Sequence, residues 1–398
     1  MRTRSPFTTI VLPILVLLLA VPAALAEITP HGGMLRYPDV GTDRIVFSFA
    51  DDLWTVPLDG GLATPLSSPP GLEALPRFSP DGKWIAYMAD YEGNTEIYVV
   101  PATGGIPRRV TWHPAVEILC DWTPDGKILF FQNGLSGLAR QTRLFVVGPE
   151  GGLPRPLPVP YGAFATLSPD GKQLLYTPYT RDFRTWKRYM GGMATDLWLV
   201  DLERKTSRRV TDWPGTDTQP MWFGDLVYYL SDAGPAHRLN LWSWDPRTGE
   251  RRQLTRFTDD DVRFPGIGPG PDGRGRIVFQ LGSGLHLLDL GTGKVSRIEV
   301  TIPGDRPTLM PRTVNAAEYI QSWDLSPSGA RAVVSARGDA WTLPARHGTP
   351  RNLTRTSGVA ERDPPGARTG SGSPGSPTPV ARWSCGSPPP TGRGSPGN

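Results

Sequence analysis

The sequence predicts an all-β protein: a six-bladed β-propeller of four-stranded blades, followed by the first blade of a second propeller. Three observations predict it. Gly and Pro number 46 and 44 among 398 residues, aromatic residues make up 9%, and no long apolar helical stretch follows the amino-terminal leader. Such a chain favours short strands joined by tight turns. A pattern also recurs roughly every 45 residues, the period of propeller blades. Within each copy, two turn signals return at the same places.

The leader comes first. Arg2 and Arg4 precede an apolar run from Ile10 to Ala20, and Ala24-Leu25-Ala26 supplies small residues before Glu27. This is the order of a secretory signal peptide spanning 1–26, with cleavage after Ala26. It predicts a secreted or periplasmic protein with no stable membrane insertion once the signal is removed.

The propeller is expected over 27–298. Its best copy reads Arg77-Phe78-Ser79-Pro80-Asp81-Gly82-Lys83-Trp84-Ile85-Ala86-Tyr87, then Glu96 to Val100, then Gly104-Gly105. Ser-Pro-Asp-Gly suits a type I turn between the first two strands: Pro presets φ, Asp bonds nearby backbone and Gly closes the turn without steric cost. Gly104-Gly105 makes the second hairpin turn. The pattern returns around Thr123-Pro124-Asp125-Gly126 and Ser168-Pro169-Asp170-Gly171. Degenerate copies centre on Met221 to Asp225 and Gly270 to Gly273, and an atypical opening copy lies at Arg44 to Trp54. Residues 299–320 lack the repeat and form a connector. Leu325-Ser326-Pro327-Ser328-Gly329 then restarts it over 321–365, an incomplete first blade of a second, seven-bladed ring. One blade cannot bury its own faces.

Composition excludes several function classes. Net charge is +4, from 42 Lys and Arg against 38 Asp and Glu, with no dense basic run to track phosphates, so nucleic acid is not an expected partner. Cys120 and Cys385 cannot build a disulfide framework, and Cys120 is read as a small buried hydrophobe. His31, His113, His237, His286 and His347 are scattered, and no Gly-x-Ser-x-Gly elbow occurs, so no catalytic residue is assigned. No cofactor motif is found, and no metal site is assigned. Asp259-Asp260-Asp261 has hard oxygen ligands without the spacing of a calcium loop and is read as solvated turn charge. Arg108 and Arg109 are read as solvated edge charges on a strand. Candidate pore or peptide contacts are Trp186, Lys187 and Tyr189, in a long insertion of the fourth blade; the insertion could equally cover a blade edge.

The repeat resembles TolB-like propellers, and two features narrow the resemblance to the tricorn protease family. One is the opening Asp43-Arg44-Ile45-Val46-Phe47 with Asp51-Asp52-Leu53-Trp54, which lacks the Ser-Pro-Asp-Gly turn. The other is Trp186-Lys187-Arg188-Tyr189-Met190-Gly191-Gly192, similar to that family's Trp-Lys-x-Tyr-x-Gly-Gly stretch. The resemblance implies a six-bladed ring serving as an exit or filter, a seven-bladed substrate channel, and then PDZ-like and serine-peptidase domains. It also implies an arginine pair between blades two and three that anchors a substrate carboxylate. Here that loop runs from Trp112 to Leu119 without the pair, so the role is not carried over. The expected function is thus that of an N-terminal propeller fragment of a secreted tricorn-like serine peptidase, engaged in substrate or product passage or binding. Its partners would be peptides or other protein domains, and a full-length form could self-associate. The alternative is a TolB-like periplasmic interaction propeller with no enzymatic partner domain. A propeller followed by an α/β-hydrolase peptidase would not account for the Trp186 insertion.

After Pro365 the composition shifts to Gly, Pro and Ser, where the next blade should read Trp-Ser-Pro-Asp-Gly-Lys. GC-rich codons for Trp-Ser-Pro-Asp-Gly-Lys-Trp-Ile-Ala-Trp-Phe-Ser-Asp, read after loss of the first T, give the thirteen residues Gly366 to Thr378 without a mismatch. Residues 366–398 are accordingly expected to be a frameshifted, disordered tail. Resequencing of the locus should find a single-base loss at this codon or an intact frame continuing into blade sequence. Tail peptides in a proteomic digest, with no downstream frame encoding the rest, would overturn the expectation.

Overall fold

The computed structural model describes residues 35–134, 141–184, 187–303, 312–355 and 360–364. The leader, His31, Trp186 and the segment 366–398 lie outside them. The chain divides into two compact units, Met1–Leu309 and Met310–Asn398. Among the described residues the regular elements are strands, apart from one short 3-10 turn at Ala316–Tyr319.

Six four-stranded antiparallel sheets make up the first unit. Their innermost strands are Leu35–Val40, Glu73–Phe78, Glu117–Trp122, Ala165–Leu167, Asp217–Phe223 and Val262–Gly268. The second strands show why the blades stack. Arg44–Phe49, Trp84–Ala89 and Ile128–Gln132 are apolar on both faces because each blade is covered on both. The two-residue period sends Val46 into the seam with blade two and Ile45 and Phe47 into the seam with blade six. Likewise Ile128 and Phe130 face blade two while Leu129 and Phe131 face blade four. A separate apolar cluster fills each seam, including the one where Val278, Leu285 and Leu287 of the last sheet meet Leu35, Ile45 and Phe47 of the first. The ring closes on burial, at about 1.5–3 kcal/mol for each large side chain.

The turns form as their residues require. Ser79 Oγ donates to Asp81 Oδ1 at 2.6 Å and accepts from Trp84 N at 3.0 Å, and Gly82, at φ +67°, closes the turn by donating to Ser79 O at 2.8 Å. Thr123 and Ser168 repeat the arrangement. A threonine that sequence reading overlooked ends each of several blades. Thr111, Thr211 and Thr255 accept through Oγ1 from Ile97, Leu197 and Leu241 N at 3.0, 2.9 and 3.0 Å. Past Ile298 the chain is not simply a connector: Val300–Thr301 pairs in parallel with Gly61–Leu62 of blade one. Gly60, at φ +85°, allows this, since a Cβ there would lie 2.4 Å from Glu299 O.

The second unit holds one sheet, Ile320–Leu325, Arg331–Ala336, Asp339–Pro344 and Arg351–Asn352. Its inner strand is exposed nearly throughout, with Trp323 at 69%. Glu361 is buried and its N donates to Gly338 O at 2.7 Å, as Glu117 N does to Thr95 O and Asp217 N to Thr195 O in the first unit. Glu361 therefore stands where a following blade would open.

Glu117 and Asp217 open their blades from buried positions, and burial pushes both carboxyls up to about 7. Thr111 and Thr211 hydroxyls beside them offset only part of that cost. The folded state therefore binds more protons than the unfolded chain between the ordinary carboxylate range and pH 7. The associated stability is fully present below about pH 4 and is lost as pH rises through 7. At about 2–4 °C per kcal/mol for a domain of this size, the thermal midpoint should be several degrees higher at pH 5 than at pH 8. Glu117→Gln with Asp217→Asn should flatten the slope; a midpoint that rises from pH 5 to 8 in the unaltered protein would contradict it.

Candidate functional site

The fourth blade departs from its neighbours between its second strand, Gln173–Tyr176, and its third, Trp198–Asp201. The intervening insertion folds over the end of the ring axis, held by its own short-range chemistry. Thr180 Oγ1 donates to Asp182 Oδ2 at 2.7 Å, and Arg184 N donates to Arg181 O at 2.9 Å. On the return, Tyr179 Oη donates to Ala194 O at 2.9 Å. A Cβ at Gly191 would lie 2.5 Å from Tyr189 Oη, so glycine there leaves room for the tyrosine ring to fold back over the chain.

Three contacts pin the insertion to other blades. The Asp182 carboxylate accepts from Thr218 Oγ1 at 2.9 Å and Gln219 Nε2 at 2.6 Å, on the inner strand of blade five. Arg263 Nη2, on the inner strand of blade six, donates to Asp182 O at 2.6 Å. Lys187 Nζ pairs with Asp261 Oδ2 at 2.9 Å, and Asp261 also accepts from Leu239 N at 3.2 Å. Asp261 is buried, which corrects the reading of it as solvated turn charge; Asp259 and Asp260 remain exposed. Phe183 lies between Phe164 and Phe264, with ring centroids at 6.0 and 5.6 Å, and Phe264 meets Tyr37 edge-on at 4.7 Å. An aromatic row from blades four, six and one thus spans the channel mouth.

Under the insertion lies a cleft of about 60 Å³, lined by the cations Arg181, Arg184, Lys187, Arg188 and Arg263, by the carboxylates of Asp182, Asp232 and Asp261, and by apolar Leu230, Leu239 and Val262. The structure brings Lys187 and Tyr189 together in its lining, while Trp186 lies outside the described residues. Among the described residues neither serine nor cysteine lines the cleft, and the one histidine there, His237, is stacked on Trp213 at 5.9 Å. His113 Nδ1 accepts from Ala115 N at 3.0 Å, His286 stacks on Phe279 at 5.8 Å, and His347 is exposed. Among the described residues no group of three or more His, Cys, Asp or Glu is placed to hold a metal ion. Mixed charge with cations in excess, over an apolar floor, can bind and orient a polar chain.

What fills the axis below was not foreseen. A cavity of about 20 Å³ is bounded by Asp39, Arg77, Cys120, Asp121, Ala165, Met221 and Gly266, so every blade contributes. Arg77 Nε donates to Cys120 O at 3.2 Å, Nη1 to Pro38 O and Pro76 O at 3.3 and 3.2 Å, and Nη2 to Pro265 O at 3.1 Å. Its Nη1 also lies 3.9 Å from Asp39 Oδ1. Burial pushes the Asp39 carboxyl up to about 7 against the pull of Arg77, and it raises Asp121 and the Cys120 thiol as well. Cys120 is buried, as expected. The overlooked signal was a proline in the inner strand itself, at Pro38, Pro76, Pro220 and Pro265, because proline inside a strand marks a bulge. Arg109 also differs from its reading, whereas Arg108 stays at the exposed blade edge. Arg109 is part-buried, pairs with Glu92 and buried Glu96 and lies over Trp112, while Arg108 pairs with Glu150 of the next blade.

Comparison with known proteins adds a lineage. Residues 32–294 match the model of the tricorn protease N-terminal β-propeller domain. A tricorn protease homolog 1 from Streptomyces coelicolor is 30% identical over 334 residues, 83% of this chain and 30% of the relative. A tricorn protease homolog from Saccharolobus solfataricus is 26% identical over 330 residues, 82% of this chain and 30% of the relative. Among solved structures, tricorn protease superposes with a TM-score of 0.63 at 22% identity, over 82% of this chain and 32% of that one. A TolB-type protein from Agrobacterium tumefaciens reaches 0.50 at 19% identity, over 62% of this chain and 90% of that one, which shows a shared fold. The chain spans about 30% of the length of the curated relatives it matches.

Asp182→Ala removes the acceptor that ties the insertion to Thr218 and Gln219 and should destabilise the ring by about 1–3 kcal/mol. Cleavage by a limiting protease, mapped by mass spectrometry, should move into residues 180–194. An unchanged cleavage map would show that the insertion is held by other contacts.

Proposed function

The chain belongs to the family of tricorn protease N-terminal β-propeller domains, and on that premise we propose that it is the non-catalytic propeller part of a secreted tricorn-like serine peptidase. The observation that carries this reading is the cleft under the blade-four insertion, where five cationic side chains outnumber three carboxylates around an apolar floor, at the end of the ring axis. Those surfaces suit an extended peptide, whose carboxylates meet the cations and whose side chains meet the floor. Binding of peptides, more than hydrolysis, is the role of this segment. Hydrolysis in the intact enzyme belongs to sequence beyond the propeller. The partners are peptides or adjoining protein domains, and the basic and apolar order of residues 2–26 supports a secreted or periplasmic location.

Fluorescence anisotropy with labelled decapeptides tests the reading. Acidic and mixed peptides should bind to the purified chain without being cleaved. Lys187→Glu, which reverses a charge in the cleft lining, should weaken binding at least threefold, and Tyr189→Ala should do the same by removing aromatic surface. Equal affinity in all three proteins, or serine-directed cleavage by the chain alone, would overturn it.

A further inference from the structure

The inner strands of five blades break their pairing at one level. Register shifts fall between Arg36 and Asp39, Ala74 and Arg77, Leu119 and Asp121, Thr218 and Met221, and Arg263 and Gly266. At four of these a non-glycine residue with positive φ precedes a proline: Tyr37, Leu75, Gln219 and Phe264, at 51°, 51°, 50° and 45°. Residues inside a bulge leave the ladder, and their carbonyls must find donors elsewhere. Four of them, on Pro38, Pro76, Cys120 and Pro265, find the same side chain.

Only arginine offers five N–H donors in a rigid planar fork. From blade two, the Arg77 guanidinium reaches backbone of blades one, three and six, which places it across the axis. Beside the guanidinium lies the cavity of about 20 Å³. That is room for about one water and not for a polypeptide. Directly toward the insertion, Phe164, Phe183 and Phe264 narrow the mouth.

We propose that the insertion face is a blind-ended receptor for one end of an extended peptide, and that Arg77 seals the channel beneath it against through passage. A peptide entering the mouth stops at the aromatic row and leaves by the same face. Threading it would strip four carbonyls of their donor at once and leave Asp39 buried without its counter-charge. The peptide's identity as ligand rests on the function proposed above. The seal does not, and it is tested without any peptide.

Cys120 reports on the seal because it lines the cavity beside Arg77, accepts from Arg77 Nε through its carbonyl, and keeps its thiol buried in the adjoining seam against Ala163 O. In a Cys385→Ser background, labelling by a small cationic methanethiosulfonate should be at least 100-fold slower in the native chain than in urea. Arg77→Ser should raise the native rate at least 10-fold while the circular dichroism spectrum is retained. Arg77→Lys keeps the charge but loses the fork, and it should give a smaller acceleration; it serves as the readout if the serine variant does not fold. Fast labelling of the unaltered protein overturns the proposal, as does slow labelling in a folded Arg77 variant. Absence of peptide binding with a slow, Arg77-dependent thiol would instead count against the peptide reading alone.

Discussion

The hydrogen bonding of one guanidinium at the ring axis is the constraint on which the inner surface of this protein depends. Six sheets converge on an axis, and five of their inner strands are bulged. The bulges turn backbone out of the ladder and leave buried carbonyls in need of donors. Arg77 meets that need for four of them, across four blades. Its backbone is held in turn, since Trp122 Nε1 donates to Arg77 O at 2.9 Å and Phe78 N donates to Asp39 Oδ2 at 2.7 Å.

Around that centre the seams are ordinary apolar packing, and their regularity explains why a weakly repeating sequence suffices. Each second strand needs only to be apolar on both faces, and its period of two divides the residues between two neighbours. Blade four could therefore accept a long insertion without cost to its seams. The insertion is tied down by polar contacts to Thr218, Gln219, Arg263 and Asp261, all at the channel end of neighbouring blades. A surface feature of one blade has thereby become a shared feature of three.

The chain covers about 30% of the length of its curated relatives. The cleft at one face and the guanidinium bonded across the axis are the features that set this propeller apart from a plain stack of blades. The exposed inner strand of the second unit, with Trp323 and Leu325 bare, has the surface of a blade without its neighbours.

Much of this was legible without coordinates, because turns and strands are local. Ser-Pro-Asp-Gly and Gly-Gly name their own backbone conformations, and runs such as Ile128-Leu129-Phe130-Phe131 declare burial on both faces. Lys187 and Tyr189 were singled out by pattern and do line a cleft. What stayed hidden was every interaction between residues distant in sequence. Asp261 looked like one of three turn carboxylates until Lys187, 74 positions earlier, came to lie against it. Arg77 stood in plain sight at the head of the best repeat, yet a guanidinium's role depends on which carbonyls it can reach. The amino-acid order alone determined the blades, their turns and their apolar seams, since those follow from local backbone preference and a period of two. Only closure of the ring decided the plugged axis and the cleft, because it alone brings bulge carbonyls and charged side chains from separate blades within hydrogen-bonding distance.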